Sequence, residues 1–246
     1  MGHFLPLFTL GLRRRSKDFF VLFYNIVFPA IIILLLGYLA SKSYGATFTS
    51  YHYYTVVIIP FCGLMGITTV SYAAQDEKLL KTSYRYMAAP ISNTELVFSK
   101  FLSCVVILSI CNVITLGISK LFFSMEFNGR FLYVILLLTC ESVAVIGIGL
   151  FHGLACKNLD MLRNFLNLPI VIFGFLGGAF FPVSSFHPVL SFFINLSPLT
   201  WVNRGIVACI FDGNTTILFA VSAIFALVGC AFVGLTIKFF RKEAFI

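Results

Sequence analysis

Side chains that could do chemistry are few in this chain of 246 residues, and they are scattered. The four histidines and seven cysteines form neither an HExxH pattern nor a CxxC pair, the spacings that place two metal ligands side by side. A phosphate loop of the form GxxxxGK(S/T) is also missing, so the chain cannot bind and hydrolyse ATP by that route unaided. We therefore predict that the protein is not an enzyme and holds no metal or cofactor of its own.

The composition indicates that most of the chain lies in a lipid bilayer. Apolar and aromatic residues make up 60% of the chain, charged residues make up only 11%, and the mean hydropathy is +1.01. Soluble domains carry about 25% charged residues, so a soluble globular domain is excluded. The apolar runs are continuous, and about 20 apolar residues in a helix match the roughly 30 Å of hydrocarbon in a bilayer. We predict an all-α integral membrane protein.

Six apolar runs predict six transmembrane helices in a single transmembrane domain, residues 1–246. The predicted spans are residues 19–40, 53–74, 96–122, 131–153, 165–182 and 215–237. The other segments are an N-terminal amphipathic interfacial helix at 1–18, a cytoplasmic loop at 75–95 and an extracellular re-entrant segment at 183–214. Prolines cut the re-entrant segment into pieces that are too short to cross a bilayer.

One acidic residue, Glu141, lies near the middle of the fourth predicted span. An ionised side chain at that depth costs at least about 2.5 kcal/mol, so Glu141 should be neutral, paired or facing a wet cavity. Such a residue is a candidate for a translocation path. The alternative is a structural role, in which a protonated Glu141 makes a hydrogen bond between helices.

The orientation follows from the positions of the basic residues. Seventeen lysines and arginines are present, and thirteen of them lie on the side that holds both termini. Those thirteen are Arg13, Arg14, Arg15, Lys17, Lys78, Lys81, Arg85, Lys100, Lys157, Arg163, Lys238, Arg241 and Lys242. Because basic loops stay inside, we predict a multi-pass protein with cytoplasmic N- and C-termini. This topology and anionic lipid account for the net charge of +8, so no nucleic-acid partner is predicted.

The cytoplasmic loop has the pattern of a short helix held between two spans. Acids precede bases in residues 76–81, which suits a helix macrodipole, and the residue before Pro90 is disfavoured in a helix. The segment Ser92–Glu95 is a capping box that should start the third span. A stiff helix at this position can transmit movement of a soluble partner to the membrane helices. The alternative is that the loop only connects the two spans.

Two further stretches carry a family resemblance. The first leaves the fifth span as Gly-Gly-Ala-Phe-Phe-Pro at 177–182, and the second reads Asn-Leu-Ser-Pro-Leu-Thr-Trp at 195–201. Before them, the cytoplasmic loop reads Asp-Glu-Lys-Leu-Leu-Lys and then Met-Ala-Ala-Pro-Ile-Ser. Their order, together with the amphipathic start and six spans, resembles the permease subunit of type-2 ABC exporters over nearly the whole chain.

The resemblance implies a plasma-membrane permease that pairs with a second copy or a homologous permease and docks two ABC ATPase subunits, which would bind ATP and Mg. Residues 1–18 would be the connecting helix, and the substrate would be hydrophobic or amphipathic: a drug, a lipid-linked molecule or a peptide. The implied ATPase-coupling residues are Glu77, Lys78, Lys81, Tyr84, Arg85 and Met87. The implied outer-gate residues are Phe180, Phe181, Pro182, Pro198 and Trp201.

Two other classes of membrane protein compete with this interpretation. A self-sufficient secondary transporter or channel needs ion-binding polar residues within the spans or internal repeats, and the spans offer one strong acid and no evident inverted repeat. A membrane-embedded enzyme needs His, Asp or Cys clustered at one membrane face, and the sequence has no such cluster. The permease interpretation is therefore preferred, with the secondary transporter or channel as its alternative.

Overall fold

The structure is a computed structural model that describes residues 4–45, 48–75, 90–155, 159–181 and 188–240, with the backbone alone for 159–165. These described residues form nine helices and their connections. In chain order the helices are α1 (Phe4–Ser16), α2 (Phe19–Leu39), α3 (Ser50–Ala74), α4 (Asn93–Phe122), α5 (Phe131–Ala155), α6 (Leu159–Leu176), α7 (Pro188–Leu196), α8 (Pro198–Val207) and α9 (Thr216–Phe239). These ranges contain no strand, so the all-α prediction is confirmed for them.

Five of the described helices, α2, α3, α4, α5 and α9, are long and apolar enough to cross a membrane. They match five of the predicted spans, and each end lies within three residues of its predicted position. The described part of residues 183–214, the segment predicted to be re-entrant, contains two short helices, α7 and α8, and a π-helical turn at Ala208–Asp212 continues α8.

Helix α6 has the same length as the predicted fifth span, residues 165–182, but it begins and ends six residues earlier. Its apolar part is Leu166–Leu176, and the helix ends at Leu176 because a glycine turn follows. Gly178 adopts a left-handed φ of 82°, the amide of Ala179 donates to the Gly174 carbonyl at 2.9 Å, and the amide of Gly178 donates to Phe175 at 3.2 Å. This is a Schellman motif, which satisfies the last carbonyls of a helix and stops it. The motif was present in the sequence as Gly177-Gly178, but the predicted span ran through it.

Polar side chains cap the starts of several long helices, among them α2 and α4. The Asp18 side chain accepts hydrogen bonds from the amides of Phe20 and Val21 and so begins α2. At α4 the Ser92 side chain accepts from the Glu95 amide, and the Glu95 side chain accepts from the Ser92 amide. The predicted capping box is therefore confirmed, and it satisfies amides that have no partner inside the helix.

A proline in α2 makes that helix dependent on α4. Pro29 has no N–H to donate to the carbonyl of Asn25, four residues earlier, and a π-helical turn at Phe23–Val27 precedes it. The Thr115 hydroxyl of α4 lies 3.0 Å from that Asn25 carbonyl and 2.9 Å from the Cys111 carbonyl of its own helix, so the two acceptors share its one proton. A side chain of α4 thus replaces the hydrogen bond that the proline removes.

Helix α5 packs closely against α3 and α9 through glycines. A Cβ added at Gly153 would lie 2.5 Å from the Ala74 Cβ of α3, and one added at Gly149 would lie 2.9 Å from the Ile67 carbonyl oxygen. On the α9 side, a Cβ at Gly147 would lie 2.5 Å from the carbonyl oxygen of Gly229. Small residues let helix backbones approach in this way, and the crossings hold α3, α5 and α9 together.

The N-terminal helix α1 lies along α4. The rings of Phe4 and Phe98 are 6.0 Å apart, and a Cβ added at Gly11 would lie 2.6 Å from the Ser103 hydroxyl. This close contact brings the basic end of α1, Arg13–Arg15, to the end of α3.

Candidate functional site

The end of α3, where the predicted coupling loop begins, is held by three other helices. Arg15 of α1 donates from Nη2 to the Ala73 carbonyl at 2.7 Å, and Lys100 of α4 donates from Nζ to the Ala74 carbonyl at 2.9 Å. Gln75 donates from Nε2 to the Gly153 carbonyl of α5 at 3.0 Å. We call this set, Arg15, Ala73, Ala74, Gln75 and Lys100, the α3 junction.

The physical cause of the α3 junction is the helix end itself. The last four carbonyls of a helix have no partner within it, and cations are favourable near that end because of the helix macrodipole. Arg15 is buried, and its guanidinium also lies 3.5 Å from the Asp18 carboxylate that caps α2. The junction therefore joins α1, α2, α3, α4 and α5 at one end of the bundle.

The predicted ATPase-coupling residues follow the α3 junction directly. They are Glu77, Lys78, Lys81, Tyr84, Arg85 and Met87, and all six lie outside the described residues. Sequence reasoning assigned Arg15 and Lys100 only to the positive-inside count and did not single out Gln75. The three consecutive arginines are evident in the sequence, but the sequence does not indicate which helix end Arg15 binds.

Glu141 is almost fully buried, with 1% of its surface exposed. It faces α3, since a Cβ added at Gly63 would lie 3.5 Å from its carboxyl carbon. Its Oε1 atom has no hydrogen-bond partner among the described residues. The carboxyl thus lies at the contact between α3 and α5, and its role in a translocation path stays a prediction.

The turn after α6, residues Gly177–Phe181, is held from two sides; we call it the α6 turn. On one side the hydroxyls of Tyr53 and Tyr54 in α3 donate to the carbonyls of Gly178, at 2.8 Å, and Phe180, at 3.3 Å. On the other side Asn203 of α8 donates from Nδ2 to the Gly177 carbonyl at 2.9 Å. Tyr53, Tyr54 and Asn203 were missed at the sequence level, because nothing local marks them as partners of a distant turn.

The predicted outer-gate residues that the structure describes lie on the α6 turn and on α8. The Phe180 ring lies edge-to-face against Phe61 of α3 at 5.5 Å, whereas Phe181 is half exposed. Pro198 begins α8 and Trp201 lies one turn later in the same helix. Pro182 lies outside the described residues.

A comparison with known protein families shows which family the chain belongs to. The family model described as ABC-2 type transporter matches residues 4–211, which include the α3 junction, Glu141 and the α6 turn. The chain belongs to the ABC-2 type transporter family. No curated protein matches the sequence. Membership confirms the resemblance to an ABC-2 permease and makes the chain a multi-pass membrane component of a transporter.

This ABC-2 permease also carries a large apolar groove beside α9. The groove has a volume of about 720 Å³ and is lined by side chains of α3, α5, α6, α8 and α9. Pro198 and Trp201, two of the predicted gate residues, line one end of it. We call it the α9 groove. Within the described ranges of the permease, no three His, Cys, Asp or Glu side chains come close enough to hold a metal ion.

Proposed function

We propose that the chain is the permease subunit of an ABC exporter, in which a separate ATPase subunit supplies the energy. Two permease copies, or this chain and a homologous permease, pair in the plasma membrane and bind two ATPase subunits. Each permease has six spans, with α6 as the short fifth span, and both termini are cytoplasmic. The substrate is a hydrophobic or amphipathic molecule such as a drug, a lipid-linked molecule or a peptide.

The observation that carries the proposal is the α3 junction. The segment that follows it, residues 76–89, contains the six coupling residues, and a push on that segment arrives first at Ala74 and Gln75. Because Lys100 and Gln75 bind α3 to α4 and α5, the displacement reaches three membrane helices together. Arg15 extends the same connection to α1, the proposed connecting helix at the membrane interface.

Helix α3 also links the two ends of the permease. It is one continuous helix of 25 residues, about 37 Å long at 1.5 Å per residue. One end lies in the α3 junction, and near the other end Tyr53 binds the α6 turn at 2.8 Å. A movement that begins at the ATPase is therefore transmitted along α3 to the turn that contains Phe180 and Phe181, the outer-gate residues. Glu141 lies beside the same helix and supplies the polar group within the path.

The coupling loop provides the test of this function. We expect the permease to co-purify with one of the ABC ATPases of its own cell, and to change the rate at which that ATPase hydrolyses ATP. The charge reversals Glu77→Lys and Arg85→Glu should abolish both effects. The matched control is Lys120→Glu, an exposed charge reversal at the far end of α4, which should leave both effects intact.

Three outcomes contradict the proposal. They are the absence of any ATPase partner, binding that is indifferent to the loop reversals, and transport by the purified chain that needs no ATPase. The last outcome would support the alternative, a self-sufficient secondary transporter or channel. Transport or resistance measured in cells with and without the gene would then identify the substrate class.

A further inference from the structure

The α9 groove has the depth of one leaflet of a bilayer. Its α9 side runs from Thr216 to Val228, thirteen residues and about 18 Å along the helix, compared with about 15 Å for half of the hydrocarbon core. The volume of about 720 Å³ falls within the range of pockets that enclose small ligands, roughly 300–1,000 Å³. The groove begins where α8 meets α9, so it extends from one membrane interface towards the middle of the membrane.

A cation lies at the shallow end of this groove. The guanidinium carbon of Arg204 is 5.3 Å from the centre of the Trp201 ring, and Trp201 lines the groove. Arg204 is exposed, and it donates from one nitrogen to the Asn195 side-chain oxygen at 2.7 Å. It forms no ion pair with a carboxylate in the part of the chain that the structure describes. A guanidinium has five donors, so most of its capacity and its whole positive charge remain for an anion.

We propose that the α9 groove is a binding site for one anionic phospholipid, with an acyl chain in the groove and the phosphate on Arg204. Apolar walls one leaflet deep suit an acyl chain, and a planar guanidinium binds phosphate oxygens in pairs. A basic side chain beside a lipid headgroup attracts its negative charge by about 1 kcal/mol. A membrane helix of a second copy would fill the apolar part without using the positive charge of Arg204. The site lies beside α6 and α9, away from the α3 junction, and does not depend on the proposed transport function.

Trp201 is the only tryptophan in the chain, which makes the site directly observable. The purified protein is reconstituted in phosphatidylcholine vesicles that contain a minor fraction of phosphatidylglycerol. In one set the acyl chains of the phosphatidylglycerol carry bromine, which quenches tryptophan fluorescence on contact. In the other set the phosphatidylglycerol is unlabelled, and an equal amount of the phosphatidylcholine carries bromine on its acyl chains. The ratio of quenching between the two sets measures the preference for the anionic lipid, without any ATPase or ATP.

We expect the ratio to be about fivefold, the preference that one basic residue near a charged headgroup provides. Arg204→Lys should retain most of it, and Arg204→Gln should reduce it to about onefold. Ala220→Phe, which fills the groove from α9, should reduce quenching by both brominated lipids. Each variant is compared with itself in vesicles without bromine, because loss of the arginine changes the intrinsic fluorescence of Trp201.

A ratio near onefold for the unaltered protein would overturn the proposal, and so would a preference that survives Arg204→Gln. If no brominated lipid quenched Trp201 at all, a protein surface such as a second copy would cover the groove, and the lipid site would be wrong. Arg204 is exposed, so its substitution should leave the helix content unchanged, which circular dichroism verifies. The quenching experiment is also independent of the ATPase-binding test. A lipid preference can be found whether or not an ATPase co-purifies with the permease.

Discussion

Arg15 and Ala73, 58 positions apart in the chain, are joined by a hydrogen bond of 2.7 Å from the guanidinium to the carbonyl oxygen. The bond fixes the end of α1 on the last turn of α3, and the Asp18 carboxylate lies 3.5 Å from the same guanidinium. Arginine satisfies here a backbone group that the helix cannot satisfy itself. Helix α1 and helix α3, which leads into residues 76–89, are therefore joined as one mechanical unit.

Replacing Arg15 tests that unit. Arg15→Gln should lower the free energy of unfolding by about 1–3 kcal/mol, since it leaves the buried Ala73 carbonyl without its charged donor. It should also weaken the effect of the permease on ATP hydrolysis by the partner. The measurements are thermal unfolding in detergent and ATPase activity of the complex. Arg13→Gln, an exposed change in the same helix, is the control; equal effects of the two changes would contradict the prediction.

The proline in α2 offers a test with two changes. Thr115→Val should destabilise the protein by about 1–3 kcal/mol, because the Asn25 carbonyl then lacks a donor. In a Pro29→Ala background the residue at 29 regains an N–H that can reach Asn25, so the same change should cost less. Unfolding of the four proteins gives the interaction between the sites. Additive effects would mean that Thr115 does not replace the hydrogen bond that Pro29 removes.

The crossing of α5 and α9 should not tolerate a methyl group. A Cβ at Gly229 would lie 2.5 Å from the Val143 carbonyl oxygen, and so Gly229→Ala should cost about 1–3 kcal/mol by forcing the helices apart. Gly234 lies in the same helix, and a Cβ added there would meet open space. Gly234→Ala should therefore leave the unfolding temperature unchanged or raise it slightly. A similar loss at both glycines would contradict the packing explanation, because a Cβ at Gly234 meets open space and Ala has the higher helix propensity.

The α6 turn should matter for transport but not for ATPase binding. Tyr53→Phe removes the hydroxyl that binds the Gly178 carbonyl, so the turn is no longer tied to α3 on that side. We expect slower transport with unchanged co-purification of the ATPase. Tyr38→Phe alters an exposed tyrosine in α2 and serves as the control. If both changes left transport intact, the link between α3 and the turn would have no role in the cycle.

The sequence was informative where the signal is local. Continuous apolar runs located the five long helices, and the spacing of Ser92 and Glu95 predicted the start of α4 correctly. Both features depend on neighbours in the chain. The end of α6 was also local, as the Gly177–Gly178 turn, but the apolar residues beyond it continued the run and concealed the stop.

The candidate site was only partly predictable, because its contacts join distant segments. Glu141 was recognised as an acid near the middle of a span, but its position beside Gly63 depends on the α3–α5 crossing. The donors Arg15 and Lys100 look like any other basic residues near a membrane surface. Which carbonyl receives each of them depends on how α1 and α4 pack against α3, and no spacing in the sequence contains that information.

The bond between Thr115 and Asn25 has a consequence for how the protein is made. The two residues are 90 positions apart, and a ribosome adds about 5–20 residues per second. After Asn25 is synthesised, roughly 5–20 s pass before its partner exists. During that interval the Asn25 carbonyl of α2 lacks its hydrogen bond from Thr115. The first span can therefore complete its structure only when the third arrives, which makes biogenesis of this half of the bundle a joint event.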